Sequence, residues 1–341
     1  MYLRLGAISM KSKYVAGILA GVGLFSIAAA HADPVAGNER GTLSLLFEND
    51  IFYRTDRDYT NGVELSYTSA AQDTPNPLVH VAQWLPLFSS SGTVRASYAV
   101  GQSIYTPSDL NAANPPLTQR PYAGFLYGGI GLSDDTGSRL DQINLQVGVI
   151  GPSSLASDTQ EFVHKIINDR EPMGWSTQLR GEPGIVLTYS RNLKLIPRQS
   201  VLGLSFDLEP HYGGAVGNVY DYANAGAMAR VGLNIPDDYG PLRIEPSLPG
   251  SGFFQSTGLI GGYLFVGADG RAIARNLFLD GNTWEASRSV SKEALVGDLE
   301  LGAAITFNFM QVTFTHVIRS KEYKTQGTPD QFGAVNLSFK L

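Results

Sequence analysis

Residues 141–149 read DQINLQVGV, in which Ile143, Leu145, Val147 and Val149 alternate with Gln142, Asn144, Gln146 and Gly148. A period of two puts one greasy and one wet face on a β-strand. VLGLSFDLEPH repeats the pattern, with Leu202, Leu204, Phe206 and Leu208 opposing Gly203, Ser205, Asp207, Glu209 and His211. So does NGVELSYTS, where Val63, Leu65 and Tyr67 oppose Glu64, Ser66 and Thr68. About twelve such segments run from GTLSLLFEN to GAVNLSFKL, separated by Gly, Asp, Asn, Pro and Ser clusters that read as turns.

The first 32 residues have a basic start, an apolar stretch and the A-x-A site AHA before Asp33, which predicts a cleaved secretory signal and a mature domain over 33–341. No later apolar run is long enough for a membrane helix, so a membrane-spanning form of this chain must be a β-barrel. Three features favour a barrel over a soluble sandwich. The signal exports the chain; 16 Tyr and 16 Phe are available for interfacial girdles; and the last strand alternates Val335, Leu337, Phe339 and Leu341. The predicted fold is all-β: a transmembrane antiparallel β-barrel of about twelve strands.

One segment breaks the period. SDTQEFVHKIINDR, residues 157–170, predicts a short amphipathic helix capped by Ser157 or Asp158, with Glu161 and Lys165 paired at i, i+4. Phe162, Val163, Ile166 and Ile167 would supply its apolar contacts. Gln160 and His164, also at i, i+4, project from one side.

Composition narrows the chemistry. The chain has no cysteine, which excludes disulfides and thiolate nucleophiles. The signal segment holds three of 25 basic residues and no acid, leaving 22 minus 31, a net charge of −9, on the mature domain. That balance argues against a nucleic-acid partner and suits a hard cation held by oxygen ligands. Four histidines remain after cleavage. His211 continues an inward series, His80 lies in a Pro-rich loop and His316 alternates with Val317, so all three read as structural. His164 sits beside an amide on the helical insertion, as a general base would. The stretch 47–62, FENDIFYRTDRDYTNG, places carboxylates at 48, 50, 56 and 58, which call for a counter-charge from Arg54 and Arg57 or from Ca²⁺. Asn49 and Asp50 end the first strand, and Thr60 falls on the alternation face of Glu64, the wet side. No G-x-S-x-G, H-E-x-x-H or Walker motif occurs.

Several separated motifs stand in order: END with TDRDYTNG, GQSIYTPSDL then RPYAG, GVIGPSS leading into Gln160 and His164, GW at 174–175, and LFLDGNTW at 277–284. Together they resemble the outer-membrane lipid A 3′-O-deacylases, the LpxR family. The resemblance implies Ca²⁺-dependent hydrolysis of the ester that holds the 3′-linked acyloxyacyl group of lipid A in the outer leaflet. It implies His164 as the base, Gln160 and Asn49 beside it, Thr60 as the site threonine and Asp50 as a calcium ligand. Two positions depart from the family. Its downstream acid falls on Arg170, leaving Asp169 and Glu171 as candidate ligands, and its site lysine has no counterpart in DLNAANPP. The expected partners are lipopolysaccharide and the outer membrane, and a monomer is expected. The alternatives are an outer-membrane phospholipase with a Ser-His pair, and a passive channel with an open lumen.

Overall fold

The computed structural model describes residues 39–53, 56–168 and 170–341, with the side chain of Ile167 outside them. The expected signal segment therefore lies outside the described residues.

Thirteen strands form one antiparallel sheet: β1 Thr42–Asn49, β2 Asp58–Thr68, β3 Thr93–Thr106, β4 Ala123–Asp135, β5 Arg139–Ile150, β6 Glu182–Leu193, β7 Ile196–Val201, β8 Leu204–Gly217, β9 Tyr220–Leu233, β10 Ile260–Asn276, β11 Leu295–Phe307, β12 Met310–Arg319 and β13 Asp330–Lys340. Each strand pairs with its sequence neighbour, β1 pairs with β13, and β6 closes the ring on β8. Strand β7 pairs with the first residues of β8 where β6 has ended. It continues β6 past a break at Lys194–Leu195, so the wall is a closed twelve-stranded barrel. Closure leaves no unpaired edge, the condition for strands to cross a bilayer.

The alternation sorts side chains as expected. Leu65, Val100, Ile130, Leu145 and Leu264 stand exposed on the outside, while Glu64, Arg95, Asp141, His211 and Asp298 are buried within. The aromatic residues divide between the faces. Phe47, Phe52 and Phe314 pack together on the outer wall. Tyr59, Tyr105, Phe125, Tyr127, Tyr220, Phe278 and Phe332 instead fill the lumen at the end opposite the chain termini. The segment Leu277–Asp280 that carries Phe278 is a short helix.

From the terminal end, residues 234–259 fold into the lumen between β9 and β10. Arg243 there pairs with Glu48 and Glu300, each at 2.7 Å. Further along the interior, Arg230 meets both carboxylate oxygens of Asp207 at 2.9 Å, Glu209 at 2.9 Å, and Asp238 of the inserted segment. Arg271 and Arg319 converge on Asp298. His211 bonds Asp269 at 2.9 Å, the structural lumenal role expected of it. A cavity of about 80 Å³ remains between the inserted segment and β2–β5. An open lumen, the feature a passive channel needs, is absent among the described residues.

Two helices lie outside this interior. The first, α1, spans Asn76–Trp84 and includes His80, so the Pro-rich stretch is helical rather than a loop; its prolines stand at and just after the N-cap, where they are compatible with a helix. The second, α2, spans Ala156–Ile167. Its N-cap is Leu155 in the left-handed region, with neither Ser157 nor Asp158 capping it. Ser157 bonds Glu161, and Lys165 approaches Glu171 in place of the expected Glu161–Lys165 pair.

The start of α2 rests on the outer wall at Gly124. A Cβ there would lie 2.2 Å from the Ala156 Cβ and 2.3 Å from the Ser154 Oγ. Gln102 donates to the Ser154 carbonyl at 2.6 Å from the same outer face.

Two outcomes are expected. Gly124→Val should lift α2 at a cost of about 1–3 kcal/mol, raising trypsin cleavage within 151–181 roughly tenfold while the barrel melts as before; unchanged cleavage would show that the helix is held elsewhere. Arg230→Ala leaves three buried carboxylates unpaired and should lower unfolding stability in detergent by about 3–5 kcal/mol; a loss below about 1 kcal/mol would contradict this.

Candidate active site

Residues directly opposite one another across neighbouring strands share a face of the sheet. Asn49 of β1 stands opposite Asn61 of β2, Asn61 opposite Ile104 of β3, and Ile104 opposite Gly124 of β4. Two residues down each strand, this row becomes Phe47, Val63, Gln102 and Leu126, and then Leu45, Leu65, Val100 and Gly128. Leu65 and Val100 are the exposed, outward residues. Asn49 therefore lies on the outside of the barrel.

Thr60 joins it there because of a bulge. The β2–β3 register shifts between Tyr59 and Asn61. One extra residue reverses the parity of what precedes it. Tyr59 turns into the lumen against Phe332 and Tyr105. Thr60 turns out and shares a 2.6 Å hydrogen bond with Thr106. Strict alternation had assigned it to the wet lumenal face; the bulge corrects that.

The roof over this patch is α2. Gln160 and His164, one turn apart, both face the wall and are buried, whereas Phe162 and Ile166 on the opposite side are 64% and 59% exposed. Of the apolar contacts expected from the helix, Val163 lines the site. Between roof and wall is a cavity of about 50 Å³ whose polar lining is Asn49, Asp50, Asp56, Thr60, Asn61, Thr159, Gln160 and His164.

Within the cavity the groups are tied in series. Trp175 Nε1 donates to Gln160 Oε1 at 2.8 Å, and Gln160 Nε2 donates to Asp56 Oδ1 at 3.3 Å. The other oxygen of Asp56 lies 3.1 Å from His164 Nε2. His164 Nδ1 meets the backbone carbonyl of Arg170. A carbonyl oxygen and a carboxylate oxygen only accept, so both ring nitrogens donate in these contacts, and Nε2 is the one turned to the cavity. Asp50 opens a short 3₁₀ turn, Asp50–Tyr53, directly after β1. Its Oδ2 accepts from the Arg57 backbone N–H at 2.7 Å, and Asn49 Oδ1 accepts from Ile51 N–H at 2.7 Å. Burial pushes the Asp50 carboxyl well above the ordinary carboxylate range, and the negative charge of Asp56 pushes it further.

Asn49, Asp50, Thr60, Gln160 and His164, singled out from sequence, are thus brought to one cavity. Glu171 is not: its carboxylate is largely exposed, 3.8 Å from Lys165 Nζ. Asp169 lies outside the described residues. His316 stacks on Tyr53 on the outer wall, away from this lining. No lysine lines the cavity among the described residues.

Sequence reasoning passed over Asp56 and Trp175. Asp56 counts there only as one of the four crowded carboxylates in 48–58, with no partner named for it. Trp175 lay inside the GW motif without a role.

The cavity's donor chemistry suits a hard divalent cation: two carboxylates and amide and hydroxyl oxygens, without sulfur. No three His, Asp or Glu side chains form a ready-made cage among the described residues. The residues present fit such an ion at Asp50, whose carboxyl is held against a neighbouring negative charge.

Comparison with known proteins places the fold. The family model described as outer membrane protein LpxR matches residues 18–341. LpxR from Salmonella typhimurium superposes with a TM-score of 0.72 at 21% identity, over 88% of this chain and all of that one. The β domain of the Bordetella autotransporter BrkA is far less similar, with a TM-score of 0.38 at 8% identity over 88% and 98% of the two chains. No curated protein matches the chain. This chain, a closed β-barrel of the outer membrane, belongs to the LpxR family.

Proposed function

We propose that the protein is a Ca²⁺-dependent ester hydrolase that removes the 3′-linked acyloxyacyl group of lipid A. One observation carries this reading. His164 and its neighbours lie on the outside of the wall, at the end away from the termini, where a lipid ester in the outer leaflet can reach them from the side. Membership of the LpxR family supports a lipid A-modifying enzyme.

The cavity's own groups supply most of the chemistry. The Arg170 carbonyl fixes the ring so that Nε2 faces the substrate. A water held there by Nε2 and the Gln160 amide attacks the ester carbonyl while its proton moves to Nε2. The carbon becomes tetrahedral and its oxygen takes the negative charge. Collapse breaks the bond to the 3′-oxygen, which leaves as an alkoxide and takes the proton back from Nε2. The products are a free acyloxyacyl acid and a sugar hydroxyl. Trp175 keeps Gln160 in place, and Thr60 with Asn49 supplies polar contacts on the wall side. A calcium ion beside Asp50 would supply positive charge against the oxyanion, an effect typically worth a few kcal/mol.

Two other readings have less support. A serine lipase needs a serine near His164, and none lines the cavity among the described residues. A channel needs a passage, and the described lumen is filled.

Mass spectrometry of lipid A from expressing cells should show loss of the acyloxyacyl mass with the wild type. His164→Ala should reduce conversion by at least about 10²-fold with the barrel folded, and a chelator should do the same to the wild type in isolated membranes. Equal conversion by wild type and His164→Ala would refute the assignment of the base.

A further inference from the structure

The residue touching the base is Asp56, and its position is at odds with a base ready to act. His164 Nδ1 is committed to the Arg170 carbonyl, so Nε2 is the one ring atom able to take a proton from water. Asp56 Oδ2 sits on that atom at 3.1 Å. Its second oxygen is bonded by Gln160, the amide that would hold the water. One carboxylate thus covers both groups that prepare the nucleophile.

The same carboxylate lines the cavity with Asp50. The Arg57 N–H holds Asp50 Oδ2 at 2.7 Å, which pins the residue following Asp56 against the Asp50 side chain. Two carboxylates lining one poorly solvated cavity are drawn to a shared cation. Of the two, Asp50 is buried, while the Asp56 side chain is 28% exposed. The position at which the family resemblance expects an acid holds Arg170, and Glu171 faces Lys165 in solvent. Among the described residues, Asp56 is the carboxylate that lines the cavity beside Asp50.

We propose that Asp56 is a cation-operated latch: without the ion it caps Nε2 of His164, and with a divalent cation beside Asp50 it turns to become a second carboxylate ligand and uncovers the base. The proposal rests on the calcium-dependent reading above, and its test uses no lipid substrate. In this account Asp56 is a positioning residue. It ties calcium to catalysis twice, by completing the ion's oxygen shell and by clearing the space for the attacking water.

The experiment uses the full folded barrel in detergent, with calcium as the probe. Calorimetry should give wild type a saturable Ca²⁺ site and Asp56→Asn an affinity lower by at least about tenfold, the loss expected for one charged ligand. In parallel, diethylpyrocarbonate labelling located by peptide mass reports access to Nε2. Wild-type His164 should label slowly in chelator and several times faster with Ca²⁺, whereas Asp56→Ala should label fast in both. Equal Ca²⁺ affinity in wild type and Asp56→Asn, or wild-type labelling that Ca²⁺ leaves unchanged, overturns the latch and leaves the hydrolase reading intact. A wild type that binds no Ca²⁺ overturns the latch together with the calcium requirement.

Discussion

Every backbone N–H and C=O in a lipid-facing wall must find its partner inside the sheet, and closure of β6 on β8 completes that bonding. The wall that results has two faces and no gap. A group meant to act on lipid has to stand on the outer face, above the apolar belt, and something must cover it there. In this barrel α2 provides the cover, seated at Gly124, where the absence of a side chain lets helix and strand approach. The interior is filled by aromatic packing around Phe278 and by arginines shared among carboxylates.

The outer location also explains the electrostatics of the site. In the lumen, each buried acid at Arg230, Arg243 and Arg271 has a guanidinium beside it. In the outer cavity the polar lining holds, among the described residues, two carboxylates and one imidazole and no arginine or lysine side chain. Burial and the charge of Asp56 both act on Asp50, which is the setting in which a hard cation adds most.

Much of this was legible in the sequence because strands announce themselves by a period of two. All twelve alternating segments became wall strands, and β7, past the break at Lys194–Leu195, extends one of those strands beyond its segment. Gln160 and His164 were legible for the complementary reason, a local period near four inside a strand-rich chain. Thr60 was placed on the wrong face because a bulge is one residue long and leaves no periodic trace. Asp56 lies in a segment without period, so no pattern aimed it at His164. The lumenal insertion 234–259 reads as an ordinary Pro- and Gly-rich loop, and Arg243 and Glu245 found their partners only through tertiary contacts. The aromatic count was similarly ambiguous: it fitted girdles, yet seven of those rings form the core cluster.

The central claim is that lipid ester chemistry occurs on the outside of the wall, beneath α2. The most direct measurement is an experimental structure of the His164→Ala barrel with lipid A bound. The 3′-ester carbonyl should lie between Asn49, Asp50 and Gln160, with the acyl chains running down the outer face past Phe47 and Val63. Lipid bound within the lumen, or on a part of the wall remote from α2, would contradict it.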